Sequence, residues 1–435
     1  MPDSANGIWN LEMETMPRPQ LAALQDERLR SQFSHVWTNS SMLREKYRDA
    51  GLDPSKFAGV DDLVRVPTLA KDDLRARRDD TGDIFGGAAC VDRARLSVVN
   101  HSSGTSGRPT VFGMTDADLA EAGEMFARTL YSIGLRAGDR TPVAGTTFWH
   151  GYVIGFEVGV RIIGAQAYRI ACGTGDCVRE FFERWADADF TAMRTYIPEL
   201  ELPYLESNGI RPWEVFPKAR FVYAGFDVSG PKRALIERAW GMPFRNTMGS
   251  GDQYLVGAEC AHSAPYFHVP EDNFIFEVID PRTGQQALPG DVGELVITNL
   301  WAEGCPYLRY RMEDMVTYRT DPCACGRTTM RLRLLGRLAW SVLLKERRIF
   351  STEVEEALWA EPELLGVPYQ LVQRASQPQA FLEVRLDAGS NRQINTEAAA
   401  QILAERLGVQ AKVALTSTVI GLKGPNKLER VIRES

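Results

Sequence analysis

The sequence predicts an α/β protein with a large N-terminal domain of layered sheets and helices, which includes a β-rich subdomain, and a small C-terminal α+β domain. Short apolar strands alternate with helical segments between residues 96 and 240, and this alternation is typical of a sheet with helical crossovers. From Asn273 the chain changes to strands separated by turn residues. Beyond Gly336, about one hundred residues mix strands with helices, which is enough chain for a separate domain.

The elements follow in order from the spacing of the apolar residues. Apolar side chains recur near a helical period from Pro19 to Gly51, and further helices are predicted at 72–78, 116–133, 151–164 and 228–240. Strands are predicted at 96–100, 142–146, 190–193 and 220–224, and in the β-rich region at 274–279, 294–297, 315–318 and 331–335. The C-terminal domain is predicted to hold a hairpin, helices at 352–359 and 396–407, and strands at 380–385 and 411–415.

Composition places the chain among ordinary soluble globular proteins and narrows its partners. The 435 residues are 44% hydrophobic and 25% charged, and the net charge of -7 argues against nonspecific nucleic-acid binding. The first residues lack the pattern of a signal peptide, and no run approaches the ~18 apolar residues of a membrane helix. We therefore expect a cytoplasmic protein without nucleic-acid or membrane partners. The sequence leaves the oligomeric state undecided, with a homodimer as one candidate.

A loop rich in glycine and hydroxyl residues is the most informative short segment. It runs from His101 to Thr110 and contains, in order, Ser102, Ser103, Gly104, Thr105, Ser106 and Gly107. Glycine permits backbone conformations whose free N–H groups bind anions, and the hydroxyls add donors at the same place. The spacing differs from that of a Walker P-loop. From the residues alone, a phosphate-binding loop and a flexible surface turn are both open.

The order of residues in this loop resembles the phosphate-binding signature of the adenylate-forming enzymes, which include acyl-CoA synthetases, peptide-synthetase adenylation domains and luciferases. The runs Trp9–Pro17 and Pro67–Leu74 resemble the opening segments of phenylacetate-CoA ligases. Over essentially its whole length, the chain looks like the phenylacetate-CoA ligase-like branch. The resemblance implies use of ATP and Mg²⁺, with coenzyme A as a candidate acceptor. It also implies a C-terminal domain that rotates about a hinge beginning at Gly336–Arg337.

Individual motifs of the family can be placed on this sequence. Residues 223–228 stand where the family has its adenine-pocket element, 246–252 where it has its phosphate and Mg²⁺ motif, and 309–314 resemble its ribose-binding motif. By this resemblance the nucleotide-binding residues outside the loop are Gly225, Phe226, Asp227, Met248, Gly249, Asp314 and Arg337. Met248 replaces the aromatic residue that stacks on adenine in the family. The catalytic residues are Asp252, which also binds Mg²⁺, and Lys427, which stabilises charge as pyrophosphate leaves. Without the resemblance, Lys427 is a solvated surface residue and the aspartates are turn formers.

By the same resemblance, the pocket for the carboxylic acid is expected at Phe148, Trp149 and His150, with Tyr223 and Gly249 beside them. Two aromatic rings and a histidine suit a flat aryl acid that carries a polar substituent. Core packing at a strand–helix junction is the alternative interpretation of the same residues.

Two cysteines on one tight turn, Cys323 and Cys325, indicate a metal site. Cys260 and a histidine, either His262 or His268, would complete four ligands for a closed tetrahedral zinc site; buried free thiols beside an unrelated histidine are the alternative. The family often carries such a site, and its pattern matches this chain at Cys260 and His268, which favours His268 over His262. We expect structural Zn²⁺, because four protein ligands leave no position open.

The sequence departs from the family at the hinge and at the coenzyme A channel. The position of the hinge aspartate is Ala339, and Glu346 stands where related synthetases have a glycine beside the pantetheine arm. A negatively charged side chain there is a steric and electrostatic reason to expect a smaller acceptor, such as an amine, a phenol or a second aryl acid, as in natural-product biosynthesis. A loop that tolerates glutamate is the alternative.

Together these residues predict an ATP-dependent aryl-acid ligase. It would convert a benzoate, a hydroxy- or aminobenzoate or an arylacetate into acyl-AMP and pyrophosphate, and then transfer the acyl group to coenzyme A or to a small nucleophile. Residues 1–335 are predicted to bind ATP and the acid, and residues 336–435 to carry the catalytic lysine. Two rival hypotheses stay open: a nucleotidyltransferase that moves AMP onto a cofactor hydroxyl, and a degenerate relative that only binds nucleotide or acid.

Overall fold

The fold is described from a computed structural model of the chain. It covers residues 2–3, 5–102, 108–144, 151–170, 175–195, 198–254, 256–345, 347–375, 379–387, 393–417 and 430–434. Every element and contact given below lies within these ranges.

Twelve α-helices are described, and none of them is both long and apolar enough to cross a membrane. They are α1 (Leu11–Glu14), α2 (Arg18–Asn39), α3 (Ser41–Asp49), α4 (Lys71–Thr81), α5 (Asp116–Ser132), α6 (Gly151–Ile163), α7 (Gly175–Arg184), α8 (Pro198–Ser207), α9 (Pro212–Val215), α10 (Gly230–Trp240), α11 (Ser351–Leu358) and α12 (Thr396–Leu407). Short 3-10 helices lie at Val60–Arg65, Arg93–Arg95 and Leu338–Trp340.

The described part of the chain also holds nineteen β-strands. They are β1 (Val98–His101), β2 (Val111–Met114), β3 (Arg140–Ala144), β4 (Gln166–Ile170), β5 (Met193–Arg194), β6 (Val222–Ala224), β7 (Phe244–Gly249), β8 (Val256–Ala258), β9 (Phe267–His268), β10 (Phe274–Ile279), β11 (Gly293–Asn299), β12 (Tyr310–Arg319), β13 (Arg331–Arg337), β14 (Ser341–Leu344), β15 (Arg347–Phe350), β16 (Tyr369–Arg374), β17 (Leu382–Asp387), β18 (Ala411–Thr416) and β19 (Val431–Glu434).

The long helix predicted from Pro19 to Gly51 is two helices, because Ser40 ends one and begins the next. Ser40 has an extended backbone, and its Oγ accepts a hydrogen bond from the Leu43 N–H over 3.2 Å. The same hydroxyl donates to the Gly87 carbonyl over 2.7 Å. A serine at this position satisfies one of the free N–H groups at the start of a helix, so α3 starts anew after α2.

Nine strands form the main sheet, in the spatial order β10-β11-β12-β13-β9-β8-β7-β6-β5. β5, β6 and β7 are parallel, and α10 lies between β6 and β7 in the chain. From β7 to β10 in this spatial order, each strand is antiparallel to the next. The region predicted as a β-rich subdomain therefore continues the sheet of the alternating region. Ligands bind beyond the carboxyl ends of parallel strands, and β6 and β7 end at Ala224 and Gly249, beside the predicted nucleotide-binding residues.

Apolar side chains form three main cores. The largest joins α2–α6 to the antiparallel strands, and the second packs α7, α8 and α10 around β5–β7. The third extends from Val342 to Val431 and packs α11 and α12 on a four-stranded sheet of order β18-β17-β16-β19. The boundary predicted between residues 335 and 336 falls between the first two cores and the third, and it stays a prediction.

Candidate functional site

The glycine- and hydroxyl-rich loop begins at the tip of the β1–β2 hairpin. Ser102 and Thr110 close its base, because the Ser102 Oγ accepts a hydrogen bond from the Thr110 N–H over 3.0 Å. Ser102 is buried, so its hydroxyl helps to shape the start of the loop. The other predicted phosphate ligands, Ser103, Gly104, Thr105, Ser106 and Gly107, lie outside the described residues.

Asp252 lies in a buried polar cluster with Lys71 and Tyr310, which we call the Asp252 cluster. The Lys71 Nζ is 2.9 Å from the Asp252 Oδ2, and the Tyr310 hydroxyl donates a hydrogen bond to the same oxygen over 3.1 Å. All three side chains are buried. A buried carboxylate is costly unless it is both paired and hydrogen-bonded, and this one meets both conditions.

The Asp252 cluster keeps its carboxyl group ionised. Burial raises the pKa of Asp252, but the Lys71 ammonium and its hydrogen bond, together with Arg337 and the Tyr310 hydroxyl, outweigh burial, so the pKa lies below its usual value. A divalent cation bound to a nucleotide at this place would therefore contact an ionised carboxylate.

Backbone pairing brings Lys71 next to Asp252. The Leu69 N–H donates to the Arg309 carbonyl and the Arg311 N–H donates to the Leu69 carbonyl, both over 2.9 Å, and α4 then begins at Lys71. The sequence did not predict Lys71 or Tyr310 as site residues, because a lysine at the start of a polar helix is usually solvated. The signals that could have found them are the Pro67–Leu74 run and the ribose-like motif, which contain these two residues.

Arg309, at the start of that ribose-like motif, holds the beginning of β12 in place. Its guanidinium donates to both carboxylate oxygens of Glu277, over 3.0 and 2.9 Å, and to the Val66 carbonyl over 2.8 Å. Its φ of +48° is unusual for a residue other than glycine. The partly buried ion pair offsets the cost of this backbone conformation.

Asp314 and Arg337 face each other across β12 and β13. The two residues are register partners, and the Arg337 Nε is 3.4 Å from the Asp314 Oδ1. Burial lowers the pKa of Arg337, but Asp314 and Asp252 outweigh it, so the net pKa is raised. The carboxylate of Asp314, the predicted ribose ligand, therefore pairs with an arginine whose pKa is also raised by the negative charge of Asp252. The predicted hinge position, Ala339, is exposed just beyond, in a 3-10 helix.

The predicted adenine element follows β6 directly. Gly225 is exposed, and the half-buried Phe226 ring stacks on Phe244 with centroids 6.1 Å apart. The Asn246 side-chain amide donates to the Phe226 carbonyl over 2.9 Å, which ties this element to β7. The Asp227 carboxylate accepts a hydrogen bond from the Ser351 hydroxyl over 3.4 Å, so the element also contacts α11.

The structure places Met248 and Gly249 differently at the end of β7. Met248 is buried in the largest core, whereas Gly249 is exposed. Where the resemblance puts an adenine-stacking aromatic ring, this chain therefore has an apolar side chain that packs inward.

The predicted acid pocket is described only in part. Phe148, Trp149 and His150 lie outside the described residues, whereas Tyr223 is buried in the largest core. The Tyr223 ring stacks on Phe156 with centroids 5.9 Å apart, and its hydroxyl is 2.8 Å from the Thr141 Oγ1. The Arg194 guanidinium lies 5.1 Å from the centre of the Phe156 ring. Phe156, Thr141 and Arg194 are neighbours of Tyr223 that the sequence did not single out.

The two remaining predicted residues of the ligase chemistry, Lys427 and Glu346, lie outside the described residues. Their roles stay predictions from the resemblance.

Cys260, His268, Cys323 and Cys325 converge in one buried group, which we call the Cys/His cluster. Their ligand atoms all lie within 4.8 Å of one another. The Cys260 and Cys323 Sγ atoms are 3.7 Å apart, and the Cys325 Sγ is 3.5 Å from the His268 Nε2. Zinc–sulfur bonds of about 2.3 Å in a tetrahedron put two sulfur atoms about 3.8 Å apart. The four side chains thus have the spacing and chemistry of a closed zinc site.

Neighbouring groups orient the ligands of the Cys/His cluster. The His268 Nδ1 is 3.1 Å from the Thr329 Oγ1, which leaves the Nε2 facing the cysteines. The Cys260 N–H donates to the Ser263 hydroxyl over 2.8 Å. A hydrogen bond from the Cys325 thiol lowers the pKa of Cys260, as ligation by a thiolate needs. His268, and not His262, belongs to the cluster.

Comparison with known proteins gives several relatives that match most of the chain. No protein-family model matches the chain. A phenylacetate-coenzyme A ligase of Thermus thermophilus is 30% identical over 403 residues, which are 90% of this chain and 87% of the relative. A phenylacetate-coenzyme A ligase of Aromatoleum evansii is 28% identical over 89% of this chain and 84% of the relative.

Solved structures of 2-hydroxyisobutyryl-CoA ligase have the same fold. In its postadenylation state with 2-HIB-AMP that protein is 23% identical, with a TM-score of 0.87 over 100% of this chain and 94% of the other. In the thioesterification state with coenzyme A the TM-score is 0.72. The whole-chain arrangement described here is therefore nearer to the first of these two structures.

Proposed function

The chain belongs to the phenylacetate-coenzyme A ligase family, and from this premise we propose that it activates an aromatic carboxylic acid with ATP. As a member of that family it is an ATP-dependent, AMP-forming acid–coenzyme A ligase. The observation that supports an aromatic substrate is the 30% identity to the Thermus thermophilus enzyme across 90% of this chain.

In the proposed first half-reaction, a carboxylate oxygen of the acid attacks the α-phosphorus of ATP. The bond from this phosphorus to the pyrophosphate oxygen breaks, and acyl-AMP and pyrophosphate form. We assign Lys427 to the charge that develops on the transferring phosphoryl group and Asp314 to the ribose hydroxyls. The Asp314–Arg337 contact of 3.4 Å supports this assignment, because it fixes the direction of the carboxylate.

Mg²⁺ bound with the nucleotide would neutralise phosphate charge, and Asp252 would hold it. Asp252 fits this role because its carboxylate is ionised and is held in position by Lys71 and Tyr310. A single carboxylate is enough, since Mg²⁺ in such sites takes one or two carboxylates together with substrate phosphates.

We propose that the acid is a benzoate or an arylacetate. The phenylacetate-coenzyme A ligase relatives support an aromatic acid. Tyr223, whose ring stacks on Phe156 in the largest core, would form the inner wall of the pocket. Phe148, Trp149 and His150 would complete the pocket.

In the proposed second half-reaction, the thiol of coenzyme A attacks the carbonyl carbon of the acyl-AMP. The thioester forms, AMP leaves with the former carboxylate oxygen, and the thiol proton is released. Glu346 and Ala339 in the sequence favour a second candidate, in which a small amine, phenol or aryl acid attacks instead. Under this second candidate, Glu346→Gly should increase thioester formation with coenzyme A. Equal rates in the wild type and the variant would remove the support for it.

We also assign a structural Zn²⁺ to the Cys/His cluster. Its three sulfur atoms and one imidazole nitrogen are typical zinc ligands, and their separations of 3.7 and 3.5 Å suit a tetrahedral ion. A closed set of four ligands stabilises the fold and leaves no position for substrate.

ATP–pyrophosphate exchange over a panel of benzoates, hydroxybenzoates, aminobenzoates and arylacetates tests the proposal. We expect one subset of these acids to support exchange without coenzyme A. Coenzyme A or small nucleophiles added to the productive acid then identify the acceptor. Failure of every acid to support exchange by folded, zinc-loaded protein would contradict the proposal and favour a nucleotidyltransferase or a binding protein.

A further inference from the structure

A buried carboxylate, Glu355, lies between the two predicted domains and contacts both. It belongs to α11, and its side chain is only 2% exposed. On the N-terminal side, the Ser229 hydroxyl donates to the Glu355 Oε2 over 3.0 Å, and the Lys232 Nζ is 3.8 Å from the Oε1. On its own side, the Arg430 Nη2 is 3.4 Å and the Tyr369 hydroxyl 3.3 Å from the same Oε1. We call these five residues the Glu355 cluster.

The Glu355 cluster reaches the predicted nucleotide site on its N-terminal side. Lys232 lies in α10, and its Nζ is 5.2 Å from the centre of the Phe226 ring in the predicted adenine element. Ser351, one turn before Glu355 in α11, donates to Asp227 of the same element over 3.4 Å. A movement of α11 away from α10 would therefore break contacts with this element.

On its C-terminal side the Glu355 cluster reaches the end of the segment that carries Lys427. Arg430 stands three residues after Lys427 in the sequence. Its carbonyl accepts a hydrogen bond from the Leu371 N–H over 2.8 Å, and its guanidinium lies 4.8 Å from the centre of the Tyr369 ring. Glu355 is therefore linked through one side-chain contact to Arg430, the first described residue after Lys427 in the sequence.

Charge balance makes the Glu355 cluster sensitive to the domain arrangement. The Lys232 and Arg430 side chains are 8% and 9% exposed, and a buried cation is costly without a partner. With the domains together, the Glu355 carboxylate pairs with both cations and offsets part of their charge. With the domains apart, Lys232 and Ser229 would separate from Glu355, and water would solvate the separated groups.

We propose that Glu355 is a positioning residue for the adenylation half-reaction. By pairing with Lys232 across the domain boundary and with Arg430 beside it, Glu355 holds the C-terminal domain in the arrangement in which the Lys427 segment serves the nucleotide. The proposal rests on the proposed function. The 2-hydroxyisobutyryl-CoA ligase structure in the thioesterification state matches this chain less well than the one in the postadenylation state, with TM-scores of 0.72 and 0.87, so we expect the two half-reactions to respond differently.

Two variants from opposite sides of the boundary test the proposal, Glu355→Gln and Lys232→Met. Each should lower ATP–pyrophosphate exchange by about tenfold, mainly in kcat, while thioester formation from added acyl-AMP and coenzyme A changes by less than about twofold. Lys232→Met leaves the C-terminal domain untouched, so it separates positioning from damage to that domain.

The matched control is Glu356→Gln, which removes the neighbouring carboxylate of the same helix. Glu356 also forms an ion pair across the boundary, at 2.7 Å from Arg333, but these side chains are 44% and 28% exposed. An exposed pair contributes little, so both half-reactions should stay within about twofold of the wild type.

Equal losses in both half-reactions, or unchanged exchange in both test variants, would overturn the proposal. Failure of the proposed function is a separate result, namely that the wild type catalyses no exchange with any acid. In that case small-angle X-ray scattering decides, because Glu355→Gln and Lys232→Met should each give a larger radius of gyration than Glu356→Gln. Identical scattering from all three variants would overturn the positioning role.

Discussion

The Asp252 cluster and the Glu355 cluster have similar chemistry but different positions in the molecule. Each places a buried carboxylate against a lysine and a tyrosine hydroxyl. All members of the Asp252 cluster lie within predicted residues 1–335, whereas the Glu355 cluster draws Lys232 from that domain and the carboxylate from the other. The first can break only if the domain rearranges or unfolds, and the second can break when two domains separate.

This difference shows how one kind of interaction can serve two purposes. A buried ion pair within a domain keeps an ionised carboxylate in a fixed place, because removing either partner leaves an uncompensated charge. The same pair across a boundary favours one domain arrangement while that arrangement lasts. We therefore expect substitutions in the Asp252 cluster to affect both stability and chemistry, and those in the Glu355 cluster to affect mainly one half-reaction.

The largest expected effect comes from breaking the Asp252 cluster on one side. Asp252→Ala leaves Lys71 buried without its partner, so we expect a loss of about 3–5 kcal/mol in the free energy of unfolding, together with loss of ATP–pyrophosphate exchange. Urea denaturation and exchange assays measure the two effects.

A double variant separates stability from chemistry at this cluster. Lys71→Met with Asp252→Leu replaces the ion pair by apolar side chains, which often restores stability, and exchange should stay absent. If the double variant recovered exchange, Asp252 would have no part in the reaction.

The next largest effect is expected at Lys427, which the family resemblance assigns to catalysis. Lys427→Ala should lower exchange by about 100-fold or more, because it removes a charge that stabilises the departing pyrophosphate, while the thermal midpoint stays unchanged. Lys423→Ala, in the same segment, is the control and should keep wild-type exchange. Equal exchange in both variants would remove Lys427 from the mechanism.

Loss of the proposed zinc should affect stability and leave the chemistry of folded protein intact. Cys323→Ser should abolish the bound metal measured by mass spectrometry and lower the thermal midpoint by about 5–10 °C. His262→Ala should keep one zinc per chain, because His262 lies outside the Cys/His cluster. Wild-type protein that contains no zinc after purification without chelator would contradict the assignment.

The smallest expected effects come from removing the two tyrosine hydroxyls, one from each cluster. Tyr310→Phe removes a hydrogen bond to Asp252. Tyr369→Phe removes a hydroxyl proton that is shared between the Ser351 carbonyl, at 2.8 Å, and Glu355, at 3.3 Å. Each change should cost about 1 kcal/mol of stability. Thioester formation from added acyl-AMP should be unaffected by Tyr369→Phe, which acts through Glu355. Stopped-flow assays of the two half-reactions would detect a difference of about twofold. A fall in thioester formation with Tyr369→Phe would show that the two clusters are less distinct than we propose.

Sequence patterns predicted the periodic elements best. Strand 274–279 and helix 396–407 have their predicted bounds, because apolar spacing is clear in both. β16 and β19 were not predicted: β16 carries polar residues at Gln370 and Gln373, and β19 has only four residues. The break at Ser40 was also missed, since a serine within a helical pattern reveals its capping role only when its hydrogen bonds are known.

The same limit applies to the site. Motifs pointed to Asp252, Asp314 and the Cys/His ligands, because residue type and order carried that information. The partners Lys71 and Glu355 were not predicted, because a lysine or a glutamate in a polar helix is ordinarily solvated. Their burial depends on contacts between segments far apart in the sequence, and only the fold supplies these.

The central claim is that a carboxylate of an aromatic acid attacks the α-phosphorus of ATP. The most direct measurement uses the productive acid with both carboxylate oxygens labelled with ¹⁸O, together with unlabelled ATP and coenzyme A, and analyses the AMP by mass spectrometry. The proposed reaction predicts AMP that carries one ¹⁸O atom, because AMP leaves with a carboxylate oxygen. Unlabelled AMP formed together with the acylated product would contradict the claim.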